Sequence, residues 1–355
     1  LFFSPLTFTS FDSNGSKEFF NIIDGAGYLP LDSMLYFSSG ISGNHEIDGN
    51  LNFFTLLAGF YQNVSLMYIA QFANTILPSN PFYIILLINF MFLVLSIKNY
   101  IVVCSHLKLD SNVFLFWISL NLLIVFALFA LNKEIIGIYI ISEFVLFFYK
   151  PARLMMTIRF LLILGLAMIT RNVFFIAGII IFLNKIFKIN TFIIFLLFSG
   201  IALPLIYYLT QGALLGDTFG RLDQAATGWH QQSAAITTFF FWMVEYPFGY
   251  LIQFLIVFAV NVLSPILNPG IWAGYLSSIN LSLFMLQISS GLFLILFLKH
   301  LRRQTFFNIF NYNHPFQFVL FYSMIFCILP FSQHRYLLCV YPVLVISMLY
   351  QQKNS

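Results

Sequence analysis

Phe82–Val103, FYIILLINFMFLVLSIKNYIVV, is the stretch that decides the fold class, because its only charge is Lys98. About 20 mainly apolar residues in helical form span the hydrocarbon core of a bilayer. The helix satisfies its own backbone N–H and C=O groups where no water can. Comparable runs follow at 113–131, 135–149, 154–170, 172–184, 190–209, 275–298, 315–331 and 336–350. Of these, 135–149 and 172–184 are short and read as broken, tilted or partly interfacial. Residues 236–267 are apolar but interrupted by Glu245, Pro247 and Pro265, and read as interfacial or re-entrant structure. The expected fold is all-α: a polytopic transmembrane helical bundle of about 9–11 spans, with external loops and interfacial helices.

Composition agrees with that reading. The 355 residues are 60% hydrophobic and 8% charged, with a mean hydropathy of +0.91 and 47 Phe. Soluble domains carry about 25% charged residues, and a soluble fold of this size still exposes a good part of its surface. A soluble secreted domain, intrinsic disorder and nucleic-acid binding are all disfavoured. Cys104, Cys327 and Cys339 have no neighbours at metal-ligand or redox spacing, so neither a zinc site nor a disulfide framework is expected. The chain opens on Leu1 rather than Met, and a first helix or signal segment is expected to precede it.

The few charges are unevenly distributed. Residues 1–80 hold Asp12, Glu18, Asp24, Asp32, Glu46 and Asp48 against the single base Lys17. Residues 81–355 hold fifteen bases and six acids. Since Lys and Arg accumulate in cytoplasmic loops, 1–80 reads as an external (periplasmic) segment, and 81–355 as the transmembrane bundle. Within 1–80, residues 51–77 show helical apolar spacing and are expected along the interface. Lys98 with Lys108, Lys150 with Arg153, Lys185 with Lys188, Lys299–Arg303, and Lys353 are expected inside. Placing Lys299–Arg303 inside requires 236–274 to return to the external face. The external face then collects 1–80, 132–134, Arg171, the polar loop 210–235, 261–274 and 332–336.

The candidate chemistry lies on that face. Asp12, Asp24 and Asp32 are carboxylates placed to act as general base toward a sugar hydroxyl, although Asp-Ser and Asp-Gly are also ordinary turn formers. Arg171 interrupts two apolar runs in Met168-Ile169-Thr170-Arg171-Asn172. A buried arginine needs a partner, and a diphosphate suits its planar fork; a snorkelling turn residue is the plainer alternative. His334, Arg335 and Tyr336 open the last run, combining a cation, a titratable ring and an amphipathic anchor. In loop 210–235, Arg221 and Asp223 form a surface pair or, with Gln224, Trp229, Gln231 and Gln232, bind a hydroxyl-rich substrate such as carbohydrate. Glu143, inside an apolar run, is a functional residue by default or a structural partner for Arg153, Arg159 or Arg171. Lys133-Glu134 reads as a local surface pair. The chain carries no glycine-rich phosphate loop, His-Glu-x-x-His or Gly-x-Ser-x-Gly.

Taken together, these strings resemble the bacterial O-antigen and exopolysaccharide repeat-unit polymerases of the glycosyltransferase C superfamily type. The resemblance rests on Asp12 to Asp32 with Tyr28 and Tyr36, Leu131-Asn132-Lys133-Glu134-Ile135 with Ser142-Glu143, and Thr170-Arg171-Asn172. It extends to Ser264-Pro265-Ile266-Leu267 and Gln333-His334-Arg335-Tyr336. It implies a multi-pass protein of the bacterial inner membrane, active on its periplasmic face. Undecaprenyl-diphosphate-linked repeat units would be joined there into surface polysaccharide such as lipopolysaccharide O-antigen, without cofactor or metal. It further implies that Asp12, Asp24 or Asp32 is the base and that Arg171, Arg221 and Arg335, with His334, Tyr336 and Glu143, hold the lipid-linked glycan. A chain-length regulator or flippase would be a partner. A polyprenyl-phosphate-sugar-dependent transferase adding one sugar, and a lipid-linked oligosaccharide flippase or transporter, are the alternatives.

Overall fold

A computed structural model describes residues 64–79, 81–128, 133–151, 154–197, 200–201, 281–303, 314–325 and 337–354. Among them the chain is helical and contains no strand. The helices are α1 (Val64–Ile76), α2 (Pro81–His106), α3 (Ser111–Ser119), α4 (Leu122–Leu128), α5 (Lys133–Tyr149) and α6 (Leu154–Thr170). They continue as α7 (Asn172–Phe187), α8 (Thr191–Leu197), α9 (Leu281–Arg303), α10 (Phe316–Ile325) and α11 (Leu337–Asn354). Among the described residues one helix, over Tyr83–His106, is long and apolar enough to cross a membrane. The stretches Leu154–Thr170, Val173–Phe187, Ile288–Leu301 and Leu337–Lys353 are apolar but shorter.

Two helices form the centre. In α5 every residue from Lys133 to Phe148 except Tyr139 is buried, and in α11 burial is continuous from Leu337 to Leu349. Around α5 pack α2, α4, α6, α7 and α11. Such close packing needs small residues where helices cross. A Cβ on Gly137 of α5 would sit 2.6 Å from Phe174 Cζ and 2.9 Å from Cys339 Sγ; one on Gly178 of α7 would sit 2.5 Å from Leu164 Cδ1 and 2.7 Å from Phe144 Cζ. Between these glycines the gaps fill with rings, Phe147 stacking on Phe160 at 4.2 Å and Phe144 tilting against it at 5.3 Å.

The run expected as one span over 113–131 is broken. Helix α3 ends at Ser119 with Leu120 as its C-cap, and Asn121 N–H turns back to Ile118 O (3.1 Å) before α4 begins. That turn leaves the Trp117 carbonyl without its intrahelical donor, and the Tyr341 hydroxyl donates to it at 2.9 Å. A buried carbonyl must find a partner, so α11 supplies what the break removes. Asp110 caps the start of α3 by accepting from Asn112 N–H at 2.8 Å, the usual role of Asp at an N-cap.

Chain direction alternates, and the contacts show which ends meet. At one end Lys353 Nζ donates to Leu107 O (3.0 Å), Lys185 Nζ to Lys150 O (2.6 Å), and the His106 and Tyr149 rings lie 6.0 Å apart. The same end holds His300 against Ser347 (3.4 Å) and His314 against Tyr350 (ring centroids 5.3 Å). Lys108, Lys150, Lys185, Lys188, Lys299 and Lys353 therefore share one basic end. Lys108 and Lys188, following α2 and α7, take left-handed φ values of 56° and 55°, and each cation lies at the negative end of its helix dipole. At the opposite end Ser65 Oγ meets Thr170 Oγ1 (3.0 Å), Asn89 Nδ2 donates to Leu128 O (2.9 Å) and Cys339 Sγ to Glu134 O (3.4 Å). Helix α1 begins beside the last residue of α6 and turns at its other end into the first residue of α2. Both its ends thus lie at this end of the bundle, and α1 does not cross it. The rest of the amphipathic stretch 51–77 lies outside the described residues, as do 1–50, loop 210–235 and 236–274.

His314 is buried at the basic end, and its Nδ1 accepts from Phe316 N–H at 3.1 Å. Burial pushes its pKa from 6.5 down to about 4. A depressed folded-state pKa means the native state favours the neutral ring, so this stabilisation is present above about pH 6.5 and is lost as pH falls toward 4. His314→Asn keeps an acceptor for Phe316 N–H but cannot titrate, and pH-dependent melting should flatten over that window. The glycines give a second test. Gly178→Val should cost about 1–3 kcal/mol by overpacking. Gly165→Ala, where nothing lies within 4 Å of the new Cβ, should be neutral or stabilising by up to about 1 kcal/mol. Thermal denaturation of the purified protein separates the two.

Candidate functional site

Helices α5, α7 and α11 all begin at the end opposite the lysines, and α1 begins there too. The Gly137 crossing brings α5, α7 and α11 into contact. One turn above it lie Lys133 and Glu134 on α5 and Arg171 at the start of α7. The Leu337 end of α11 is tied to the same level by the Cys339 thiol donating to Glu134 O. Helix N-termini expose unpaired N–H groups and carry partial positive charge, here beside the C-termini of α4 and α6, which end at the same level.

Arg171 links α6 to α7 without any loop. Its N–H bonds to Ala167 O (2.9 Å), closing α6, and its C=O accepts from Phe174 N–H (2.9 Å), opening α7. Its own backbone is extended (φ −169°, ψ 130°), and its side chain does not cap the helix. With β-region dihedrals forced between two helices, the side chain is carried inward, where the residue is only 3% exposed. The expected position between two apolar runs is therefore occupied, but not by a snorkelling surface residue.

Lys133 and Glu134 differ from expectation. A local surface pair was anticipated; instead they are 8% and 2% exposed. Close by, α7 and α11 meet α5 at Gly137, and Cys339 of α11 reaches the Glu134 carbonyl. Two cations and one carboxylate are thus withdrawn from water at a single end of the bundle. Withdrawal of charge is expensive unless the charges engage one another or polar groups, and all three of these residues do take part in further interactions.

Glu143 lies nine residues further along α5, about 13 Å from Glu134 at 1.5 Å per residue. It does not join Arg171. Arg159 of α6 pairs with it through Nη2, Asn99 Nδ2 of α2 donates to its Oε1 at 2.8 Å and to Ser142 Oγ at 3.0 Å, and Arg159 Nη2 also reaches Asn99 Oδ1 at 3.3 Å. Of the three arginines open to it from sequence, Arg159 is the partner, and the cluster binds α2, α5 and α6 together.

Asp12, Asp24, Asp32, Arg221, His334, Arg335 and Tyr336 lie outside the described residues; Arg335 precedes the first residue of α11 by two positions. Among the described residues no three His, Cys, Asp or Glu side chains are grouped as a metal site. Between α7 and α8 runs an apolar groove of about 470 Å³, lined by Ile176, Ile179, Ile180, Leu183, Ile194, Leu197 and Ile201. It starts about 8 Å along α7 from Arg171, at 1.5 Å per residue.

Removing one half of the Glu143–Arg159 pair strands the other. Arg159→Ala should cost on the order of 2–3 kcal/mol, below the range for fully buried pairs because Arg159 is 44% exposed. Glu143→Gln with Arg159→Gln should cost less than the sum of the single changes in a double-mutant cycle by chemical denaturation. Additive losses would contradict the pairing.

No protein-family model matches the chain, and no curated protein or solved structure is similar to it.

Proposed function

We propose that the chain is a polytopic membrane glycosyltransferase that polymerises undecaprenyl-diphosphate-linked oligosaccharide repeat units, on the side of the bacterial inner membrane opposite its lysine-rich end. The membrane reading is supported by the outward faces. Along α2, Tyr83, Leu87, Phe90, Met91 and Val94 point outward, Leu87 at 62% exposure, while Asn89, Ser96 and Asn99 are buried. Water would favour the reverse arrangement; a hydrocarbon surrounding favours this one. Leu154, Met155, Leu161 and Leu162 of α6 and Ile295 and Leu298 of α9 are exposed in the same way. Helices of 17 residues, about 25 Å, lie at the short end of the range that crosses a bilayer. The alternation that collects the lysines at one end is the pattern expected of a cytoplasmic face.

One observation carries the catalytic reading: buried Arg171 and Lys133 stand with the N-termini of α5, α7 and α11 at the end away from Lys108, Lys150, Lys185, Lys188, Lys299 and Lys353. That arrangement suits a diphosphate, whose charge grows as the bond to the anomeric carbon breaks. The apolar groove along α7 suits the lipid tail of the same molecule. In the reaction a hydroxyl of one glycan attacks the anomeric carbon of another, a C–O bond forms, and the C–O bond to undecaprenyl diphosphate breaks. The hydroxyl proton passes to Asp12, Asp24 or Asp32, and Arg171, with Arg221 and Arg335, neutralises the leaving group. No cofactor takes part in this scheme.

Incubation of the reconstituted protein with a defined lipid-linked oligosaccharide tests it. A ladder of products supports polymerisation, a one-sugar shift supports the single-sugar transferase, and transbilayer movement without a new glycosidic bond supports the flippase. Arg171→Ala should lower polymer yield about 100-fold or more. Arg171→Lys, which keeps the charge and loses the fork, should fall between wild type and alanine while melting at the wild-type temperature. Unchanged polymer from alanine variants at Arg171, Arg221 and Arg335 would refute the mechanism.

A further inference from the structure

Arg159 is out of place on its own helix face. Its neighbours one turn away, Met155 and Leu162, are 79% and 71% exposed, and Ile158 beside it is exposed as well. On this apolar surface Arg159 is 44% exposed, yet the carboxylate it pairs with is buried at 3%. The guanidinium is planar and carries five N–H donors. Nη2 is turned inward to Glu143 and Asn99. The remaining edge faces outward. In the membrane reading above, on which this inference rests, that edge meets lipid rather than water, and unmatched N–H donors in hydrocarbon are costly.

Position supplies the partner. Arg159 lies five residues from Leu154, the start of α6 at the lysine-rich end, about 8 Å in from it at 1.5 Å per residue. Glu143 and Asn99 lie about 9–10 Å in from the same end at 1.5 Å per residue, so the guanidinium they hold stays at that depth, and a lipid phosphate reaches it by local thinning of the bilayer. We propose that the outer edge of Arg159 is a binding site for the phosphate of a membrane phospholipid in the leaflet at the lysine-rich end. Glu143 and Asn99 hold the guanidinium so that it meets the phosphate already oriented, which lowers the ordering cost of binding. Because Glu143 balances the charge of Arg159, the site selects by donor geometry rather than by net charge. Zwitterionic and anionic phospholipids therefore both bind, and a lipid without phosphate does not.

Native mass spectrometry of the delipidated full chain in detergent reads this directly. With phosphatidylethanolamine or phosphatidylglycerol added, one lipid should survive collisional energies that strip the others; with diacylglycerol none should. Arg159→Lys, which keeps the charge, should lose that lipid, as should Glu143→Gln combined with Arg159→Gln, and circular dichroism reports that each variant is folded. Equal retention by wild type and a folded Arg159→Lys, retention of diacylglycerol, or full competition by inorganic phosphate would each overturn the proposal. Recovery of the protein from cells without detergent would instead overturn the membrane reading on which it rests.

Discussion

Burial of α5 on every side is the constraint on which the rest of the structure depends. A helix surrounded by five others has no face on which to place a polar residue in solvent. Each of its polar groups must be met by a neighbour, and each crossing must be close enough to leave no void. Gly137 meets the second requirement, letting Phe174 and Cys339 approach the α5 backbone. Glu143 meets the first by drawing in Asn99 from α2 and Arg159 from α6. The same enclosure withdraws Lys133 and Glu134 from water at the N-terminal turn.

The bundle thereby acquires two chemically different ends. At one, lysines sit at or near helix C-termini, where the dipoles favour cations, and Lys185 and Lys353 donate to backbone carbonyls. At the other, Arg171 and Lys133 stand at the N-termini of α7 and α5, with the C-termini of α4 and α6 at the same level. Glu134 is buried at the same end, and in the proposed function a diphosphate binds there. The outward faces are apolar at intermediate depth, interrupted by Arg159. Two arginines of similar chemistry therefore have different settings: Arg171 is enclosed among helix starts, while Arg159 is shared between a buried carboxylate and the surface.

Several of these elements are legible in the sequence. The limits of α6 coincide with the apolar run 154–170, and Arg171 falls between two runs because a charge there ends one and begins the next. The clustering of lysines follows from alternation of direction, which short connections between antiparallel helices enforce. The break at Leu120–Asn121 is hard to read from hydropathy, since Ser119 and Asn121 are the only polar residues in 113–131 and neither is charged; the carbonyl it frees is met by Tyr341, more than 200 positions away. Burial of Lys133-Glu134 escaped for a related reason. A charged pair flanking an apolar run has the same local appearance whether or not another helix covers it.

The sequence by itself determined the all-helical class, the positions of most helices and the scarcity of charge that makes each charged residue conspicuous. It did so because helix formation and apolar patterning are local properties of the chain. Only the tertiary structure decided which arginine meets Glu143, that Lys133, Glu134 and Arg171 are enclosed at one end, and that α1 does not cross the bundle. Those outcomes depend on which helices are neighbours and where they cross, and that is set by packing between residues far apart in the chain.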